Sequence, residues 1–124
     1  MENYDLTDSI VNNAVTLRSS ELMDYYRTLI SGRSGISSIP PDAILVDLGS
    51  GNGSSVLPEA QKVEPSRLKE FIMHNGKEKT YLLFCRKGMQ SAHWSGILRS
   101  EGVNAFYTTE SELLKNRSGK EVSN

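Results

Sequence analysis

The residue best placed for covalent chemistry is Cys85, the single cysteine of this 124-residue chain. It stands between the apolar, strand-like run 81–84 and a polar loop that leads into a helix-like run from Ser91. A loop that closes directly into a helix points its free backbone N–H groups at its own first residue, and those dipoles favour a thiolate. The adjacent cations of Arg86 and Lys87 act in the same direction. A lone cysteine is usually a small buried hydrophobe, but this position favours a nucleophile.

The elements that must position this loop alternate between strand and helix. Continuous apolar runs predict buried strands, and apolar residues at helical spacing predict amphipathic helices. Such alternation is typical of a parallel sheet covered on both faces, with its functional site at the carboxyl ends of the strands. In chain order, the predicted elements are helix 21–30, strand 43–46, a helix opened by Pro65 and ended at Asn75-Gly76, strand 80–84, helix 91–101, strand 104–107 and helix 110–115.

The loop and its surroundings resemble the active-site segment of the rhodanese superfamily. The shared features are the apolar strand, a Cys-Arg-Lys-Gly-x-x loop beginning at Cys85, Ser91 at the start of the next helix, Leu98 within that helix and Gly102 at its end. This segment is the most specific part of a resemblance that covers about residues 15 to 115.

The upstream half resembles the same family with departures. Ile44-Leu45-Val46-Asp47 is similar to the family's central strand ending in aspartate, and 56–60 lies where the family has His-Ile-Pro-Gly-Ala. Gly49 replaces a common arginine, and Val56 replaces the histidine of that stretch. Gln90 stands where many members have arginine, although thiosulfate-type members with Cys-Arg-Lys-Gly loops have a neutral residue there.

The resemblance implies an α/β rhodanese-like domain, whose central, mostly parallel sheet is flanked by helices on both faces. This domain would span 15–115, between a flexible segment at 1–14 and a disordered tail at 116–124, both of which are polar. It implies a sulfurtransferase in which the Cys85 thiolate takes sulfane sulfur from a small anionic donor such as thiosulfate. The resulting persulfide would pass that sulfur to a nucleophilic acceptor without a metal or organic cofactor. The implied donor-binding and persulfide-binding residues are Arg86, Lys87, Gly88, Met89, Gln90 and Ser91.

Two alternatives remain open from the sequence. A rhodanese-like interaction or redox-sensing module would use the fold as a surface, and the degenerate upstream motifs favour it. A methyltransferase-like fragment is suggested by the run 46–53, which fits the Asp-x-Gly-x-Gly-x-Gly turn of proteins that bind S-adenosylmethionine. However, Pro58 would break the helix that should follow, and the next strand ends in Cys85-Arg86 rather than in a ribose-binding acid.

Other functional classes fit the sequence poorly. The net charge of −1 predicts no polyanion-binding surface, so a nucleic-acid partner is not expected. The first residues do not resemble a leader, and no apolar run approaches the ~18 residues of a membrane span. A single cysteine suits a reducing compartment. We therefore expect a cytoplasmic protein without a membrane partner. His74 and His93 have no metal-ligand spacing relative to Cys85. A Cys-x5-Arg phosphatase loop is excluded because Ser91 occupies the arginine position.

Overall fold

Four strands form one parallel sheet in the computed structural model, which describes residues 14–31, 39–49, 55 and 57–116. The strands are β1 (Ile44–Asp47), β2 (Ala60–Lys62), β3 (Thr80–Cys85) and β4 (Asn104–Thr109), in the spatial order β2-β1-β3-β4. Beyond β4, the backbone of Leu17 donates a hydrogen bond to the Tyr107 carbonyl. This bridge extends the sheet by the segment that precedes the helix Ser19–Ser31.

Helices cover both faces of the sheet. They are α1 (Ser19–Ser31), α2 (Leu68–Asn75), α3 (Met89–Ser100) and α4 (Glu110–Asn116), and a 3₁₀ turn at Pro65–Arg67 leads into α2. On one face, apolar residues of α2 and α3 pack against Leu83 and Cys85. On the other face, residues of α1 and α4 pack against Leu82 and Phe84. This arrangement agrees with the predicted α/β fold, because neighbouring residues of a strand point to opposite faces.

The central strand β3 is buried along its whole length, which is why its sequence is an unbroken apolar run. It lies between β1 and β4, with Asp47 in register with Phe84, and Cys85 in register with Thr109. The end of β3 is therefore fixed by strands on both sides and by helices on both faces. Such an environment holds the Cys85 backbone in one position.

The observed boundaries differ from the predicted ones in a few places. The short edge strand β2 was not predicted, α3 begins at Met89 rather than Ser91, and β4 extends to Thr109. The final helix begins where expected, and the Glu112 N–H donates to Thr109 Oγ1 at 3.3 Å, which is one of the hydrogen bonds of a capping box. The glycine turn at 50–53, Val56, the segment 1–13 and the tail beyond 116 lie outside the described residues. Within the described ranges, no helix is both long and apolar enough to cross a bilayer.

Candidate active site

The Cys85 sulfur occupies the N-terminal end of α3. Its Sγ accepts hydrogen bonds from the backbone N–H groups of Gly88 at 3.2 Å and Ser91 at 3.4 Å. Gly88 is the N-cap residue of α3 and has no side chain with which to cap the helix. The sulfur therefore satisfies an N–H group that the first turn of a helix otherwise leaves unpaired. Because these donors carry partial positive charge, they stabilise negative charge on Sγ.

Gly88 makes this close loop possible in two ways. Its φ of 88° lies in the left-handed region, which residues with a side chain rarely adopt. A Cβ at this position would also lie 2.9 Å from Cγ2 of Thr109, at the end of β4. The sharp turn after Cys85 therefore requires glycine both for its backbone angle and for its packing.

Ser91 joins the sulfur to the neighbouring strand. It is fully buried, and its Oγ lies 3.5 Å from Cys85 Sγ. The same Oγ lies 3.1 Å from the Thr108 carbonyl oxygen of β4 and 3.2 Å from the Gly88 carbonyl oxygen. The predicted role of Ser91 was to bind the persulfide through its backbone N–H, and that role stays a prediction. Its side chain is buried and faces Cys85 Sγ and the protein interior rather than solvent.

The other loop side chains point outward. Arg86, Lys87, Met89 and Gln90 are all exposed, with Met89 exposed at 77%. Neither Arg86 nor Lys87 forms an ion pair with another described residue. Cys85 itself is only 7% exposed, and the exposed side chains that follow it, here called the rim, include two cations. Such a rim attracts small anions.

Asp47 shapes the neighbouring end of β1. Its carboxylate is buried and accepts hydrogen bonds from the Gly49 N–H at 2.8 Å and from Ser55 Oγ at 2.6 Å. These bonds fix the chain as it leaves the sheet beside the end of β3. Asp47, the aspartate that the sequence shares with the family pattern, thus holds the chain in place where it leaves the sheet.

Neither histidine is a hydrogen-bond partner of Cys85 Sγ in the described structure. His93 packs edge-on against Trp94 at a centroid distance of 5.6 Å, and the hydrogen-bond partners of Cys85 are Gly88 and Ser91. His74 is exposed in the last turn of α2. Among the described residues, no group of three or more His, Cys, Asp or Glu side chains could hold a metal ion.

Sequence reasoning missed the contribution of β4 to the site. The Thr108 carbonyl oxygen lies 3.1 Å from Ser91 Oγ, and the Thr109 methyl group occupies the space that a side chain at Gly88 would need. A backbone carbonyl leaves no residue-type signature, and these contacts join positions far apart in the sequence. The only available signal was the predicted strand at 104–107, which ends just before them.

Sequence comparison identifies curated relatives of this chain. No family model matches the chain. It is 33% identical over 110 residues to a tRNA sulfurtransferase of Thermoplasma acidophilum, a match that covers 87% of this chain and 22% of that protein. It is 29% identical over 106 residues to a tRNA sulfurtransferase of Pyrobaculum aerophilum, which covers 83% of this chain and 22% of that protein. The chain thus spans about a fifth of the length of these curated relatives.

Solved structures share the fold at low sequence identity. The polysulfide-sulfur transferase homodimer of Wolinella succinogenes matches with a TM-score of 0.55 and 18% identity, over 92% of this chain and 82% of that one. SSP1007 of Staphylococcus saprophyticus matches with the same TM-score and identity, over 77% of this chain and 86% of that one. These likenesses establish the architecture around the loop.

Proposed function

We propose that this chain is a rhodanese-like domain and that it acts as a sulfurtransferase, which holds sulfane sulfur on Cys85 as a persulfide. The observation that carries the proposal is the position of Sγ, which accepts two backbone N–H groups at the N-terminus of α3. These donors stabilise a thiolate, and the thiolate is the nucleophilic form of cysteine. The relatives named sulfurtransferases support the same chemistry.

The first step loads the protein with sulfur. With thiosulfate as the donor, the Cys85 thiolate attacks the outer sulfur and forms a new S–S bond, while the S–S bond of thiosulfate breaks. Sulfite leaves with the electron pair of the broken bond. The total charge is the same on both sides of this step, because a thiolate and a dianion become a persulfide anion and a dianion.

The second step unloads the protein. A nucleophilic acceptor attacks the outer sulfur of the persulfide, the S–S bond breaks, and Sγ leaves as the thiolate. Charge therefore returns to the atom that receives the Gly88 and Ser91 N–H groups. The same two donors that prepare Sγ for attack thus stabilise it as a leaving group.

The exposed rim supports a small anionic donor. We assign Arg86 and Lys87 the role of attracting it and of opposing charge on the departing sulfite. The backbone N–H groups of Arg86, Lys87, Met89 and Gln90 are left to bind the outer sulfur, because those of Gly88 and Ser91 bind Sγ.

The acceptor in this proposal is a thiophilic nucleophile. The relatives are named for tRNA, but each is matched over only about a fifth of its length. The exposed cations described at the loop are two adjacent side chains, and the chain's net charge is −1. The expectation that this chain itself has no nucleic-acid partner therefore stays a prediction, which a binding assay with tRNA at low salt tests.

The direct test of the function is intact mass after incubation with thiosulfate. We expect the wild-type protein to gain one sulfur atom, which cyanide then removes. The Cys85→Ser variant should gain none. A wild-type protein that gains no sulfur from thiosulfate or polysulfide would favour the alternative, a rhodanese-like interaction or redox-sensing module.

A further inference from the structure

The Ser91 hydroxyl has more partners than it has protons. Its Oγ lies within hydrogen-bond distance of Cys85 Sγ at 3.5 Å, the Thr108 carbonyl at 3.1 Å and the Gly88 carbonyl at 3.2 Å. A hydroxyl has one O–H donor and two acceptor lone pairs. It can therefore donate to a carbonyl or to the sulfur, and the charge on the sulfur decides which bond is favoured.

The two states of the sulfur select different hydrogen positions. When Sγ carries a proton, the S–H group donates to Ser91 Oγ and the hydroxyl donates to a carbonyl. When Sγ is a thiolate, it can only accept, and a rotation about the Cβ–Oγ bond turns the hydroxyl toward it. A hydrogen bond to a charged acceptor is stronger than one to a neutral carbonyl, so the thiolate state favours the second arrangement. The Gly88 carbonyl keeps the Ala92 N–H as a donor in either state.

We infer that the Ser91 hydroxyl is a switchable hydrogen-bond donor that stabilises Cys85 Sγ as the leaving group when the persulfide is discharged. The inference rests on the proposed function and adds a role for one side chain in its second step. In the persulfide, the negative charge resides on the outer sulfur, so the hydroxyl gains little by facing Sγ. As the S–S bond breaks, charge moves onto Sγ and the hydroxyl follows it.

This role predicts an asymmetry between the two half-reactions. The hydroxyl stabilises the free thiolate more than the persulfide, so its removal should shift the loading equilibrium toward the persulfide. We expect discharge to become slower, and we expect a higher sulfite concentration to be needed to convert the persulfide back to the thiolate. A residue that only supported the fold would change the melting temperature without shifting this equilibrium.

The experiment compares two serines of α3. Ser91→Ala removes the hydroxyl beside the sulfur, whereas Ser95→Ala removes one a helical turn further on that is equally buried and donates to the Ala92 carbonyl. Each variant is loaded with thiosulfate and then titrated with sulfite, and the loaded fraction is read from the intact mass. Melting temperatures and single-turnover discharge by cyanide are measured on the same samples.

We expect Ser91→Ala to need about tenfold more sulfite than wild type to reach half discharge. A change of this size corresponds to the free energy of a lost charge-assisted hydrogen bond. Ser95→Ala should match the wild-type ratio. Ser91→Thr retains the hydroxyl, so it should also stay near the wild-type ratio, and this variant tests the inference even if the alanine variant folds poorly.

The possible results distinguish a failure of this inference from a failure of the proposed function. If the wild type gains no sulfur at all, the proposed function fails and this role fails with it. If the wild type loads but Ser91→Ala has the wild-type sulfite ratio, only the inference is overturned. A folded Ser91→Thr variant with an altered ratio would overturn it equally.

Discussion

Gly88 and Thr109 approach each other so closely that a Cβ on the glycine would lie 2.9 Å from the threonine Cγ2. Gly88 is the N-cap residue of α3, which follows the Cys85 loop, and Thr109 ends the neighbouring strand β4. The contact fixes the distance between the helix end and the sheet. The hydrogen bonds that the Gly88 and Ser91 N–H groups donate to Cys85 Sγ depend on that distance.

Gly88→Ala should therefore reduce both stability and sulfur loading. We expect a loss of about 1 to 2 kcal/mol from the left-handed backbone and about 1 to 3 kcal/mol more from overpacking, measured by chemical denaturation. Gly102→Ala is the matched control, because its φ is also positive, at 90°, but its Cβ would meet no atom within 4 Å. Adding Thr109→Ser to Gly88→Ala removes the clashing methyl, retains the hydroxyl that caps α4, and should restore part of the loss. Equal losses at Gly88 and Gly102 would contradict the packing argument.

Cys85→Ser should abolish sulfur transfer and leave the fold intact. Serine is a good helix cap, so its hydroxyl oxygen can accept the Gly88 and Ser91 N–H groups that Sγ now accepts. It does not ionise in this environment and forms no persulfide. Thiosulfate:cyanide transfer at the wild-type rate by a correctly folded Ser variant would overturn the mechanism, and the melting temperature checks the fold.

The sequence was most informative where local patterns coincide with the structure. The apolar run of β3 predicted the buried strand that ends at Cys85, because continuous burial in a parallel sheet demands apolar residues. The start of α3 was placed two residues late, since nothing local reveals that Gly88 is its N-cap and Cys85 Sγ its capping atom.

Features that depend on distant contacts could not be predicted. Strand β2 is a three-residue edge strand without a continuous apolar run, and it exists because its backbone pairs with β1. The Thr108 carbonyl reaches Ser91 only because β4 lies beside β3. The roles of residues 86–91 as donor-binding residues stay predictions, which the variants of this loop test.

Tyr25 provides a pH-dependent test of the packing on the α1 and α4 face. Burial, followed by the Glu59 and Asp42 carboxylates, raises the pKa of Tyr25 from 10.0 to about 12. The folded protein thus retains the phenolic proton where the unfolded chain loses it, so stability is present below pH 10 and is lost as the pH rises toward 12. We expect Tyr25→Phe to reduce this alkaline loss by about 2 kcal/mol, measured by urea denaturation at several pH values. An unchanged slope in the Phe variant would show that Tyr25 is not the titrating group.

The final prediction concerns the two cations at the rim. If Arg86 and Lys87 attract a doubly charged donor, Lys87→Ala should raise the KM for thiosulfate by about three- to tenfold and leave the melting temperature unchanged, because the ammonium is exposed and pairs with no described residue. Arg86→Ala should have the larger effect, since a guanidinium binds two oxyanion oxygens at once and also opposes charge on departing sulfite. Both effects should shrink at high salt, where exposed charges are screened.

Lys77→Ala removes the same charge from the turn before β3, at the opposite end of that strand from Cys85, and should change neither KM nor its salt dependence. Thiosulfate kinetics that match wild type in both loop variants, at low and high ionic strength, would show that the donor is not a small anion bound at this rim.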